Sequence, residues 1–409
     1  MSTTDVTTAP RPLLLPGGEP AAAAWSLDPA LRHLNHGSFG AVPTAVQEEQ
    51  NRLRAEMDRA PVVWFPGLPR RIAAVRAEVA AFLRVSAGDL AMVPNASAGA
   101  SVVFGNLPRR RGGEIVVTDH GYGAVTMGAE RLARRWGGRV RTAHVPLGAG
   151  AEEAYEAVLA ECGDATDLVV VDHVTSATAR RLPVAEIGAE ARRRGVPVLV
   201  DGAHAPGLLQ APLDGVDCDF WVANLHKWGC APRGSAVLVA RGPLRDGLYP
   251  LIDSWGAAEP FPQRFDSQGT LDLTGYLATP ASLGFIGRTW GWDTARGYMD
   301  ELADYGQRVI GDAFAALTGE PGGVDVGMPV PGMRLVRLPA GLGRTRIDAD
   351  GLRDRVAAEL AVEAAFTSFG GIGYLRLSAH VYNTPDDYEY FAERCVPVLA
   401  DWARSEATR

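Results

Sequence analysis

Between residues 90 and 240 the chain repeatedly sets a short, continuously apolar run beside an amphipathic helical segment. EIVVTDH, RVRTAHVP, DLVVVDHVTS, VPVLVDGAH, DFWVANLHK and SAVLVA read as strands, and VTMGAERLARRWGG and VAEIGAEARRRG as helices between them. Runs such as LVVV and VLV lack the polar alternation of a half-exposed strand, so they belong to strands covered on both faces. Strands alternating with helices predict an α/β fold with a mostly parallel sheet. The length, 409 residues, suits more than one domain. After about residue 275 the texture changes to a helical stretch over 276–318, a Gly- and Pro-rich link GEPGGVDVGMPVPGM, strands at MRLVRLP and YLRLSAHV, and helices near 348–361 and 385–403. That pattern predicts a small α+β C-terminal domain. The expected division is a flexible tail over 1–24, an N-terminal arm and helix over 25–59, a large domain over 60–275 and the small domain over 276–409.

Charge narrows the partners. Forty basic residues against 48 acidic ones leave a net charge of −8, which argues against nucleic acid and anionic membranes, because both want a basic face. No apolar run approaches the roughly 18–20 residues of a membrane helix. The opening MSTTDVTTAPRPLLLP has no basic n-region and reads as a tail, not a signal peptide. Cys162, Cys218, Cys230 and Cys395 are scattered without a CxxC pair, which predicts a reduced, cytoplasmic protein with no disulfide frame and no metal site.

In an open α/β sheet the ligand lies beyond the carboxyl ends of the strands, and four strand ends here carry unusual residues. Pro94-Asn95-Ala96-Ser97-Ala98-Gly99 opens a helix; its small residues read either as a phosphate cradle at a helix N-terminus or as a plain helix cap. Asp201 ends the buried run VLV, where an unpaired carboxylate is costly; it needs a cationic partner such as a protonated pyridine nitrogen, unless it caps the next turn. His120 or Tyr122, after a third strand, could stack on a flat ring. Lys227, in DFWVANLHKWG, is the only lysine of the chain; the other 39 of the 40 basic residues are arginines. A lysine kept where arginine serves everywhere else is one that arginine cannot replace. Imine chemistry needs a neutral amine, which a guanidinium cannot supply.

Asp201, three residues before His204 and followed by His226-Lys227, resembles the pattern of fold-type I pyridoxal-phosphate enzymes of aminotransferase class V. The chain is similar to their isopenicillin N epimerase-like branch at LNHGSFGAVP (34–43), DHVTSATARRLPV (172–184), VDGAHAPG (200–207), HKWGCAPRGSAVL (226–238), QGTLD (268–272), YLATPAS (276–282) and LRLSAHVYNTPDD (375–387). These motifs span nearly the whole chain in order. The resemblance implies pyridoxal 5'-phosphate held in the large domain. It implies that Lys227 forms the imine, that Asp201 keeps the pyridine nitrogen protonated, and that Tyr122 stacks on the ring. Ala96, Ser97, Asn224 and His226 would hold the phosphate, with Ser176 near the phenolic oxygen and His204 beside the cofactor. Thr270 would reach the phosphate of a neighbouring subunit, which implies a homodimer with shared active sites. Arg376 would clamp the carboxylate of a small amino-acid-type substrate; Asn35, His36 and Ser38 would line its entrance.

Two reactions stand open at this stage: epimerisation at the α-carbon of an amino acid or amino-acid-containing metabolite, as in antibiotic pathways, and β-elimination or related C–S cleavage of a cysteine conjugate. Both begin with removal of the α-proton, which Lys227 can perform. Relatives often carry arginine directly after the Gly-Thr pair, where Leu271 stands here; that weakens a substrate with a second carboxylate at that point. A persulfide-forming desulfurase is disfavoured, because the region 319–345 has no cysteine. A binding fold without turnover is disfavoured by Lys227, Asp201 and Arg376 together.

Overall fold

The structure, a computed structural model, describes residues 8–108 and 111–407. It resolves into two compact units, one of residues 39–176 and 180–287, the other of the N-terminal residues to 38, 177–179 and the residues from 288. The larger is built on seven strands: β1 (Leu90–Val93), β2 (Glu114–Thr118), β3 (Arg139–Ala143), β4 (Thr166–Asp172), β5 (Val198–Asp201), β6 (Phe220–Asn224) and β7 (Ala236–Ala240). They lie in the order β1-β7-β6-β5-β4-β2-β3. Every neighbouring pair from β6 to β3 is parallel, while β7 runs antiparallel to both β6 and β1. The connection over 225–235 explains the reversal. A parallel crossover needs roughly a dozen or more residues, usually a helix, and this link is a turn instead.

Strands β1, β2, β5, β6 and β7 are buried at every residue, as their unbroken apolar sequences require. β4 has one half-buried residue, and β3 alone carries an exposed one; β3 is an outer strand whose Arg139 faces water. Helices Ala96–Asn106 and Gly123–Trp136 supply Ala100, Val103, Phe104, Ala129 and Leu132 to a core shared with Ile115, Leu199, Phe220 and Val222. Because β1 runs parallel to β6, the carboxyl ends of β1, β2, β4, β5 and β6 all open on one edge of the sheet.

The smaller unit holds the antiparallel sheet of β8 (Met333–Arg337), β9 (Ala365–Phe369) and β10 (Ile372–Ser378), in the order β9-β10-β8. Helices Trp292–Thr318, Arg346–Leu360 and Val396–Ala407 pack around it over Leu302, Ile310, Phe314, Val356 and Leu399. The stretch 276–318, read from sequence as one helical run, is two helices, Thr274–Thr289 and Trp292–Thr318. Gly291, the residue that precedes the second helix, has φ +80°, a backbone angle that favours glycine and lies outside a right-handed helix. Of the expected tail over 1–24, residues 1–7 lie outside the described residues. Residues 8–24 include a bridge between Leu14 and Pro20 and a short 3₁₀ turn over Ala21–Ala24, and the Trp290 indole donates to Leu14 O.

Candidate active site

Asp201 and Asp172 end neighbouring parallel strands in direct register. Both are buried. Asp201 Oδ1 accepts from the Ala203 N–H at 2.9 Å, which fixes the carboxylate in the turn, while Oδ2 is buried with no hydrogen-bond partner. Burial raises the Asp201 pKa, opposed by the Ala203 N–H. Asp172 was not singled out in the sequence, although LVVVD ends as VLVD does. Its Oδ1 accepts from the Tyr122 N–H at 3.2 Å, so it ties the loop that carries Tyr122 to the strand ends. Burial first, and the neighbouring Asp201 second, push Asp172 well above the usual carboxylate range.

Lys227 lies in the turn after β6 and is buried. Its Nζ is 3.0 Å from His204 Nε2, and on the other side of that ring the Trp228 indole N–H donates to His204 Nδ1 at 3.2 Å. The turn is held from outside by Gly40. With φ +70°, its position is so close that an added Cβ would lie 1.9 Å from His226 O. His226 is half-buried with Nδ1 3.3 Å from Ser235 O; burial lowers its pKa to about 4, so the ring is neutral near pH 7.

At the start of helix Ala96–Asn106 the side chain of Asn95 accepts from the Ala98 N–H, and Asn224 Oδ1 accepts from the Ala96 N–H at 2.9 Å. Ala96 and Asn224, both read from sequence as phosphate contacts, therefore bind each other and hold the helix start against β6. Ser97 sits half-buried at its mouth. Tyr122 caps helix Gly123–Trp136 with its ring 45% exposed, and Ser176 is half-buried in the turn after β4. Thr270 is exposed on a turn stabilised by Gln268 Nε2 donating to Phe265 O. Among the described residues no hydrogen bond joins it to the Asp201–Lys227 group.

In the smaller unit Arg376 lies at the middle of β10, opposite Ala365 and Leu335. One terminal nitrogen donates to Asn35 Oδ1 and to Ser38 Oγ, each at 3.0 Å, and Ser38 Oγ donates to Asn35 Oδ1 at 2.7 Å. Three of the sequence candidates thus form one polar group. His36 departs from it. Its buried ring stacks on His380 with centroids 3.7 Å apart, and its Nδ1 lies 3.1 Å from Tyr382 Oη. An imidazole with an apolar face is better covered in that aromatic cluster, which Trp25 completes, than at an open entrance. His380 and Tyr382 gave no sequence signal beyond their place in LRLSAHVYNTPDD.

A pyridine ring with a protonated nitrogen and a phosphate tail fits the larger unit's residues. Oδ2 of Asp201 is a buried acceptor that lacks a donor, and a pyridine N–H is one. Lys227 is a buried amine beside it, and a helix start faces the same edge of the sheet.

The sequence pattern of the aminotransferase class-V family matches residues 42–313. The chain belongs to that family and is a pyridoxal-phosphate-dependent enzyme. It is 32% identical to an isopenicillin N epimerase of Streptomyces clavuligerus, over 92% of this chain and 96% of that one. It is 26% identical to an L-cysteine desulfhydrase of Arabidopsis thaliana, over 90% and 88%. In fold it is similar to the cystine C–S lyase C-DES, solved with its product cysteine persulfide, with a TM-score of 0.76 and 21% identity over 91% of this chain and 97% of that one. No helix among the described residues is long and apolar enough to cross a membrane.

Proposed function

We propose that the protein epimerises the α-carbon of an amino acid, or of the amino-acid part of a larger metabolite. The observation that carries this reading is the 32% identity to an isopenicillin N epimerase across nearly the full length of both chains. Bound pyridoxal phosphate supplies an electron sink that stabilises negative charge at the substrate's α-carbon. Lys227 Nζ is the attachment point and, once released, the base that takes the α-proton. Asp201 Oδ2 accepts the pyridine N–H and keeps it charged. Tyr122 would cover the cofactor ring, and its phenol, a histidine or water would return the proton. His204 and Ser176 hold the phenolic side. Ser97 and His226 bind the phosphate at the helix start that Ala96 and Asn224 hold in place. Arg376, oriented by Asn35 and Ser38, takes the substrate carboxylate with its planar fork.

The working unit is a homodimer in which Thr270 of the partner subunit reaches the phosphate.

A C–S lyase on a cysteine conjugate is the second reading, favoured by the likeness to an L-cysteine desulfhydrase and by the apolar Leu271 directly after the Gly-Thr pair. A persulfide-carrying cysteine fits neither reading. Burial raises the pKa of all four thiols, Cys218 to about 12 and Cys395 to about 11, so none is an accessible thiolate. The deciding experiment incubates the holoenzyme with single amino acids and cysteinyl peptides in deuterium oxide. Epimerisation gives α-deuteration with inversion. Pyruvate and ammonia without inverted substrate would move the assignment to the lyase.

A further inference from the structure

The Trp228–His204–Lys227 contacts fix more than position. An indole Nε1–H can only donate, so His204 Nδ1, 3.2 Å away, must present a lone pair. A neutral imidazole that accepts at Nδ1 carries its proton at Nε2, and a doubly protonated ring would set N–H against N–H at Trp228. The proton at Nε2 then points at Lys227 Nζ, 3.0 Å away. Nζ can accept it only with a lone pair; an ammonium there would again oppose two donors. His204, Lys227 and Trp228 are all buried, so water does not readily relieve a mismatch.

We propose that Trp228 is a positioning residue that locks His204 in its Nε2–H tautomer, so that the chain's single lysine is presented as a neutral amine ready to attack a carbonyl. This rests on the reading of Lys227 as the attachment point. Before attachment, the amine's lone pair is available without a prior loss of a proton to water. After attachment, the same Nε2–H remains a fixed donor toward the cofactor's phenolic side. The titratable groups around Lys227 include Asp201 and Asp172 from the ends of β5 and β4, and His226 from its own turn. Burial pushes both carboxyls toward their neutral forms, which lessens their demand for a cation.

The test uses the full-length chain with nitrogen-15-labelled histidine, as purified and after removal of cofactor. A His204→Gln variant identifies the resonances. At ~pH 7.5, His204 should show an unprotonated Nδ1 and a protonated Nε2 in both states. A protonated Nδ1 in the wild type would overturn the proposal. Trp228→Phe keeps a ring but removes the donor, and should release the tautomer. An unchanged spectrum in a folded variant would also overturn it. A reagent specific for free-base amines gives a second readout on the cofactor-free chain, because Lys227 is the only lysine and its peptide reports alone. Trp228→Phe should move the labelling midpoint upward by about one pH unit, roughly tenfold slower labelling at ~pH 7.5; coincident profiles count against the proposal. If Trp228→Phe does not fold, the wild-type tautomer decides. Failure of the attachment reading looks different: the cofactor would be fixed elsewhere than Lys227, whatever tautomer His204 adopts.

Discussion

Asp201 and Asp172 differ by one contact, and that contact separates what each does. Each places one oxygen on a backbone N–H, that of Ala203 or of Tyr122, and only Asp201 leaves its other oxygen buried without a partner. Asp201→Asn should therefore bind cofactor but lose most turnover, because an amide does not keep a buried pyridine nitrogen protonated. Turnover at the wild-type rate in that variant would contradict the role. Asp172 gives a pH signature instead. Its pKa in the folded chain lies above the unfolded value of about 3.8. Its contribution to stability is full below that value and is lost as pH rises through the raised folded pKa. Asn stays neutral and still accepts from the Tyr122 N–H. Cofactor-free Asp172→Asn should thus gain stability over wild type at alkaline pH but not near pH ~4 in denaturant titrations; parallel pH profiles would remove the raised pKa from the account. Asp201 and Lys227 stand out in the sequence, one as a charge ending an apolar run, the other as a solitary lysine, and the structure buries both. Trp228 on His204 was not legible, because a contact across 24 residues between two turns leaves no periodic trace.

Strand identity could be read because two-sided burial leaves unbroken apolar runs; strand direction could not, because β7 reads like its parallel neighbours. Only the shortness of the link over 225–235 separates them, and that link carries Lys227. The break at 290–291 is hidden for a related reason: both flanking segments keep helical spacing, and two residues separate them. Loop geometry also decides the next prediction. Gly40 combines φ +70° with an approach to His226 O that leaves no room for a Cβ. Gly40→Ala should destabilise the fold by at least ~1 kcal/mol from the left-handed backbone alone, and should weaken cofactor retention as the His226–Lys227 turn shifts. Unchanged thermal stability and cofactor content would show that the turn is positioned by other contacts.

At the scale of the molecule, the exposed position of Thr270 within its own chain is what a shared site requires. A two-fold dimer makes the exchange reciprocal. Mixed dimers of a Lys227→Ala subunit and a Thr270→Ala subunit then hold one site lacking both groups and one intact site. They should recover about half the wild-type activity, since one of two symmetric sites works. Thr270→Ala alone should weaken cofactor binding by about 0.5–1.5 kcal/mol, and up to about 3 if the bond is to a charged phosphate. An active monomer in sedimentation under assay conditions would refute the exchange. The central claim, that one lysine among 40 basic residues anchors the chemistry, is tested most directly by borohydride reduction of the purified holoenzyme followed by peptide mapping. The reduced cofactor should appear on the peptide containing Lys227, with neither label nor turnover in Lys227→Arg. Label on any other residue, or turnover in that variant, would contradict it.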